Sequence, residues 1–334
     1  MLKEQVETLI GPSGQGFEAA RTALRGDAVR TPLLPFRSGD GRAIRIKAEC
    51  LQPYGSFKIR AASNVLAGYS PEALRRGIVC PSAGNFGQGL AYAASRRGVP
   101  MTVHAPQNAA EVKLQVMRSL GATVVVHPFD QWWDIMCARS AGAGEELFVH
   151  PVCEPGVIIG NGTIGLELVE DWPDFDTVVV PFGGGGLICG IALALRSIGH
   201  RARVIACEVE TAAPLAAAMG AGGPVTIERV SSFVDGIGST RVLDDMWPLL
   251  RELVDDVVTM SVEEAEQGVR LAAQQSHLIV EGAAGVCLSA ALAEAARGGR
   301  VVAILSGGNI DHQQLCGILQ GRGRAVGARR HEVR

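Results

Sequence analysis

From end to end, short apolar runs rich in β-branched residues alternate with longer amphipathic, helix-forming stretches. The runs fall at 43–50, 77–79, 101–104, 123–126, 147–150, 177–181, 204–208, 257–260 and 301–305, and amphipathic segments such as 87–96, 111–120, 187–198 and 262–274 lie between them. Strands that alternate with helices build parallel sheets, because a parallel neighbour can be reached only by a crossover long enough to be a helix. In such sheets ligands bind at the carboxyl ends of the strands, so the segments just after each run are where chemistry belongs. Ser261-Val262-Glu263-Glu264 has the spacing of a capping box and marks the start of helix 262–274.

A chain of 334 residues exceeds the size at which one core usually stops growing, and two lobes around a cleft are expected. The segment 77–150 holds four runs of its own. It reads as a small domain inserted into a large one made of 1–76 and 151–321, followed by a basic tail at 322–334 (Arg322, Arg324, Arg329, Arg330, Arg334). With 19% charged residues and a net charge of -3, nothing points to nucleic acid or an anionic membrane as partner. Lys3, Glu4 and Glu7 interrupt the start where a signal peptide would need an apolar run, and no long uncharged segment exists to span a bilayer, so a cytoplasmic protein is expected. The eight cysteines form no C-x-x-C pair and mostly lie inside apolar runs, as free thiols in a reducing compartment do. The seven histidines are scattered without ligand spacing, and no metal is expected. The chain ends soon after the last predicted helix, so no added regulatory domain is expected.

Four segments carry chemistry. Lys58, in Tyr54-Gly55-Ser56-Phe57-Lys58-Ile59-Arg60, opens an apolar helical stretch after a glycine turn. A lysine in apolar surroundings loses its proton more easily and becomes a nucleophilic amine; a lysine that only buries its stem reads the same way. Phe182-Gly183-Gly184-Gly185-Gly186-Leu187 joins a strand to a helix. Consecutive glycines let several amides and a helix N-terminus point at an anion, so this is a phosphate cradle. It is neither a dinucleotide fingerprint, since Ile188 and Cys189 stand where the last glycine belongs, nor a triphosphate loop. Ser82-Ala83-Gly84-Asn85-Phe86-Gly87 supplies hydroxyl, amide and backbone donors at a helix start, suited to a carboxylate or a phenolate-like oxygen, although an ordinary N-cap uses the same residues. Ser306-Gly307-Gly308-Asn309 ends the run 301–305 and offers a neutral hydroxyl to a ring nitrogen, or simply turns the chain. Together these four describe a site for pyridoxal phosphate.

On these motifs the chain resembles the serine/threonine dehydratase (threonine ammonia-lyase-like) branch of the fold-type II pyridoxal-phosphate enzymes, from about Thr31-Pro32-Leu33 to Asn309-Ile310-Asp311. The resemblance implies a two-lobe α/β fold, each lobe a mostly parallel twisted sheet flanked by helices, with the cofactor in the cleft. It implies that Lys58 carries the cofactor as a Schiff base, that Phe57 packs beside it and that Asn85 meets its phenolic oxygen. Gly183, Gly184, Gly185, Gly186 and Leu187 would hold the phosphate and Ser306 the ring nitrogen. Gly236 and Glu281, in Val234-Asp235-Gly236 and Val280-Glu281-Gly282-Ala283, would flank the ring. Ser82, Ala83, Gly84, Asn85 and Phe86 would bind the substrate. The implied reaction is β-elimination from a β-hydroxy amino acid to a 2-oxo acid and ammonia, by a homodimer. A β-replacement synthase on the same scaffold and a non-catalytic phosphometabolite-binding relative are the alternatives.

Several positions depart from the branch. Racemases carry a second serine where Ala83 stands, and alanine moves no proton. Tyr54, Ala61 and Phe86 replace Thr, Gly and His, and Trp132 and Trp133 fall near where some relatives bring an arginine to the substrate carboxylate. These aromatics suggest a β-substituent larger than that of serine, or merely a helix packed on the small lobe. Glu208 matches one ligand of a divalent-cation site found in some relatives, but Pro214 stands where an aspartate belongs, which argues against a metal.

Overall fold

The protein is described from a computed structural model, which covers residues 1–321 except 39, 40, 110, 141, 143 and 296. The basic tail expected at 322–334 lies outside the described residues. Among the described residues ten strands form two sheets. Strands β1 (Leu33–Phe36), β2 (Ala43–Lys47), β7 (Thr177–Pro181), β8 (Arg203–Val209), β9 (Asp256–Met260) and β10 (Arg300–Ile304) make a six-stranded sheet in the order β1-β2-β10-β7-β8-β9. Strands β3 (Ile78–Cys80), β4 (Met101–Pro106), β5 (Thr123–His127) and β6 (Leu147–Phe148) make a four-stranded sheet in the order β5-β4-β3-β6. Only β1 runs antiparallel.

The apolar runs become strands because helices cover both faces of each sheet, which demands continuous rather than alternating hydrophobicity. β7 is buried at every residue. One core gathers around the large sheet and a second around the small one, and the second takes in Ile59, Ala62, Val65 and Leu66 of the helix Lys58–Ala67. β1 has no counterpart among the expected runs. Pro35 sits inside it and weighs against a strand, but β1 is an edge strand, where a missing amide costs no ladder bond. The run expected at 43–50 stops at Lys47, and the chain turns through Glu49–Leu51 and Pro53–Gly55. The capping box is present: Ser261 Oγ accepts from the Glu264 amide and the Ser261 amide donates to Glu264.

Strand order fixes where a ligand fits. From β7 the chain builds outward through β8 and β9, then returns to place β10 on the other side of β7. In the small sheet β3 has β4 on one side and β6 on the other. Ligands bind where strand order reverses, so the loops after β7, β10 and β3 frame the crevice. Those loops hold Gly183–Gly186, Ser306 and Ser82–Asn85.

Candidate active site between the two sheets

The turn before Lys58 is built by backbone reversal. Tyr54 (φ 57°) and Gly55 (φ 69°) are both left-handed. A non-glycine residue there is strained, and Asn309 Nδ2 holds it by donating to the Tyr54 carbonyl at 2.8 Å. The reversal brings the chain against the loop after β10: the Phe57 amide donates to the Ser306 carbonyl at 3.1 Å and the Gly308 amide to the Gly55 carbonyl at 2.8 Å. Lys58 then opens the helix Lys58–Ala67. Two residues on, Arg60 is 2% exposed and donates to both oxygens of Glu49 and both of Glu167, while Lys47 Nζ lies 2.6 Å from Glu167. Two cations and two carboxylates buried together tolerate desolvation only because each is paired, and this set pins the helix that presents Lys58.

Lys58 is half-buried and makes no ion pair or hydrogen bond among the described residues. Its Nζ lies 4.9 Å from the Phe57 ring centroid and 5.8 Å from that of Phe86. Burial pushes the ammonium down to about 8, against the pull of Glu281. It faces a cavity of about 220 Å³. Phe57, Lys58, Asn85, Gly183 through Leu187, Gly236, Glu281 and Ser306 all line that cavity, as do Ser82, Gly84 and Phe86; Ala83 does not.

The glycine loop is shaped by its neighbours. Gly185 has φ 96° and caps the helix Gly186–Ser197, and a Cβ on Gly184 would lie 2.5 Å from Val152 Cγ2. Behind the loop Asn161 is fully buried with neither side-chain polar atom bonded, its Nδ2 3.7 Å from where a Gly186 Cβ would sit. Asn161 does not line the cavity, and what fits an anionic group such as a phosphate there is the run of glycine amides at the start of the helix Gly186–Ser197. Asn85 Nδ2 donates to both oxygens of Glu281 at 3.1 and 3.0 Å, and its Oδ1 accepts from Asn309 Nδ2 at 3.0 Å. Burial pushes the Glu281 carboxyl up to about 7, although the Asn85 bond opposes it.

Of two residues on the rim, one carried no signal of its own in the sequence and the other stood only within the landmark Val234-Asp235-Gly236. Lys113, on the helix Glu111–Ser119, meets Asp235 at 3.0 Å, and both line the cavity. A lysine on an amphipathic helix looks like any solvated charge until the fold turns it toward the other lobe. Trp132 and Trp133, for which a specificity role and a packed helix were both open, stand away from this rim. They lie on the helix Phe129–Ala138 and do not line the cavity; Trp132 Nε1 donates to the His104 carbonyl at 3.1 Å, and the rings pack on each other and on Phe129. The Tyr54 ring, too, packs against Tyr92 at 5.0 Å rather than entering the cavity. Glu208 accepts at 2.8 Å from both the Leu215 and Ala216 amides, so its two oxygens cap the helix that Pro214 begins. The buried thiols Cys80, Cys153, Cys189, Cys207 and Cys287 are unpaired, as are the half-buried Cys50 and the exposed Cys137 and Cys316.

A lysine without a polar partner among the described residues, a glycine cradle and an Asn–Glu pair share one crevice between the two sheets, an arrangement suited to a cofactor-dependent enzyme of amino-acid chemistry. Residues 24–307 match the family described as pyridoxal-phosphate dependent enzyme. The chain is 38% identical over 274 residues to the L-threonine ammonia-lyase of Thermotoga maritima, covering 81% of this chain and 68% of that one. It is 35% identical to the serine racemase of Rattus norvegicus, over 84% of this chain and 87% of that one. Its fold matches the structure of maize serine racemase with a TM-score of 0.84 at 30% identity, covering 91% and 96% of the two chains. The chain belongs to the pyridoxal-phosphate-dependent enzymes, and within them to the threonine ammonia-lyase family of lyases. No helix among the described residues is long and apolar enough to cross a membrane.

Proposed function

We propose that this enzyme catalyses β-elimination from a β-hydroxy amino acid, such as L-threonine, L-serine or a bulkier analogue, releasing a 2-oxo acid and ammonia. The observation that carries the proposal is that Lys58, an amine with a depressed proton affinity and no polar partner among the described residues, shares one small cavity with the glycine cradle, Asn85 and Ser306. Pyridoxal phosphate, when bound, supplies the electron sink for a carbanion at the α-carbon. Lys58 would anchor it, Gly183–Gly186 and Leu187 would take its phosphate, Asn85 its phenolic oxygen and Ser306 its ring nitrogen, with Phe57, Gly236 and Glu281 beside the ring.

The chain's own residues do the rest. Lys58 Nζ removes the α-proton, and an amine titrating near 8 is a competent base at neutral pH. Ser82, Gly84 and the amide end of the helix Asn85–Arg97 suit the substrate carboxylate. Phe86, 2% exposed, closes an apolar wall beside Lys58, and the preference for a larger β-substituent now rests on it alone. Beside Ser82 stands the methyl of Ala83, which holds no proton for the opposite face of the α-carbon and so favours elimination over racemisation. Neutral Ser306 leaves a ring nitrogen largely unprotonated, which favours prompt loss of a β leaving group. A homodimer in the cytoplasm completes the reading.

The test is to supply L-threonine, L-serine and β-aryl serines singly and assay 2-oxo acid and ammonia. Release of both without a second substrate is expected. Formation of D-amino acid without ammonia, or product only when a thiol or other nucleophile is added, would overturn the proposal. Light scattering on the purified protein checks the dimer.

A further inference from the structure

An α-amino acid reaches this cavity as a zwitterion, and its ammonium has no lone pair with which to displace Lys58. A proton must leave first and must be returned when the product, still carrying the amino group, departs. Lys58 is committed elsewhere, and Lys113 and Asp235 satisfy each other across the rim, with the Asp235 side chain 55% exposed. That leaves Glu281, the one buried carboxyl among the described lining residues.

Its placement is specific. Glu281 is 4% exposed, yet it forms part of the wall of two cavities: the one holding Lys58, and a second of about 620 Å³ with a mixed lining that includes Gln88, Phe233, Asn309, Ile310 and His312. A Cβ on Gly307 would lie 2.6 Å from Glu281 Oε1, and one on Gly236 3.3 Å from it, so two glycines make the slot the carboxyl occupies. Asn85, from the other lobe, donates to both its oxygens.

We infer that Glu281 is a catalytic acid–base residue, which takes the ammonium proton of the entering amino acid at its carboxylate and gives it back to the departing product, whose amino group is lost as ammonia on hydrolysis. The step balances: carboxylate and ammonium become carboxylic acid and amine, with no oxidant or further reactant, and the reverse transfer resets the site. Glu281 also borders the second cavity, which shares Lys113 and Asp235 with the first, and its proton equilibrates with solvent through that side. The groups that face it are Asn85, Lys58, Lys113, Asp235 and the thiol of Cys50. Burial places its titration near neutrality, so neither transfer is steeply uphill. The inference rests on reading the cavity as a site for α-amino acids.

The test uses the holoenzyme and its visible spectrum. Mixing with L-serine or L-threonine perturbs the cofactor absorbance, whether or not elimination follows, and so does hydroxylamine, which is already uncharged at neutral pH. Glu281→Gln should slow the spectral change with the amino acid on the order of 10²–10⁴-fold while leaving that with hydroxylamine within a few-fold. Equal slowing of both, or no slowing of either, overturns the inference. Should the variant fail to retain cofactor, the unmodified enzyme still decides: the rate with amino acid should rise with pH through one ionisation near 7, and that with hydroxylamine should lack it. The same dependence with both amines overturns the inference. Spectral changes of the expected kind without 2-oxo acid would count against β-elimination but not against Glu281.

Discussion

Lys58 stands where two opposing influences meet: the desolvation of an apolar pocket and the field of Glu281. Desolvation wins, so in the cofactor-free protein the folded lysine releases its proton near 8 while the unfolded chain holds it to about 10.5. Below 8 the folded state bears the full cost of a buried ammonium. Between 8 and 10.5 the unfolded chain binds more protons, and stability therefore rises with pH. Lys58→Met should raise the melting temperature of the cofactor-free protein at pH 7, by a margin that shrinks as pH climbs from 8 to 10.5. A margin independent of pH, read by thermal unfolding, would show that Lys58 pays no desolvation cost. The same variant should release no 2-oxo acid. The lysine stood out in the sequence by its glycine turn and apolar neighbours, which suit a nucleophile and a buried stem alike. Its hold on position was not legible there, since Asn309 lies 255 residues from the Tyr54 carbonyl it secures.

At the scale of elements, the glycine loop and the Arg60 cluster carry the strongest expectations. Gly185 has a left-handed φ, and a Cβ there would lie 3.1 Å from Met246 Cε and 3.2 Å from both Leu250 methyls. Gly185→Ala should cost about 1–2 kcal/mol of stability from the backbone alone and weaken cofactor binding, seen as a lower urea midpoint and a higher Kd for pyridoxal phosphate. Unchanged binding would show that the loop does not hold the phosphate. Arg60→Met should destabilise by about 3–5 kcal/mol in urea, because Glu49 and Glu167 are left buried with Lys47 as their nearest cation. A cost below about 1 kcal/mol would mean that water enters to solvate the carboxylates. The strand–glycine–helix order of the loop was plain in the sequence. The Arg60 cluster was not, because its members come from β2, the turn after it and the helix Pro155–Asp171, and no local pattern joins them.

For the molecule as a whole, the question is what ties the small sheet's lobe to the large one. Asn85–Glu281 and Asn85–Asn309 do so beside the cavity, while Lys113–Asp235 and Arg139–Asp245 do so further out as partly exposed ion pairs. Exposed pairs contribute about 0–1 kcal/mol each and are screened by salt. The double variant Lys113→Gln/Asp245→Asn should therefore lose no more than about 2 kcal/mol, and about 1 M salt should remove most of its difference from the unmodified protein. A larger loss that salt does not reproduce would make these pairs structural anchors rather than loose ties between lobes.

The sequence by itself determined the α/β class, the two-lobe plan and the four segments that meet at the cavity, because strand period, glycine runs and helix starts are local and survive without a fold. The tertiary structure decided which residues share a cavity. It turned Trp132 and Trp133 onto their own helix, left Phe86 as the apolar wall, and set Glu208 to capping a helix. It also brought Lys113 to Asp235 and put Glu281 between two cavities. Each of those outcomes depends on contacts between residues far apart in the chain, and proximity of that kind is set by packing, which no stretch of sequence contains.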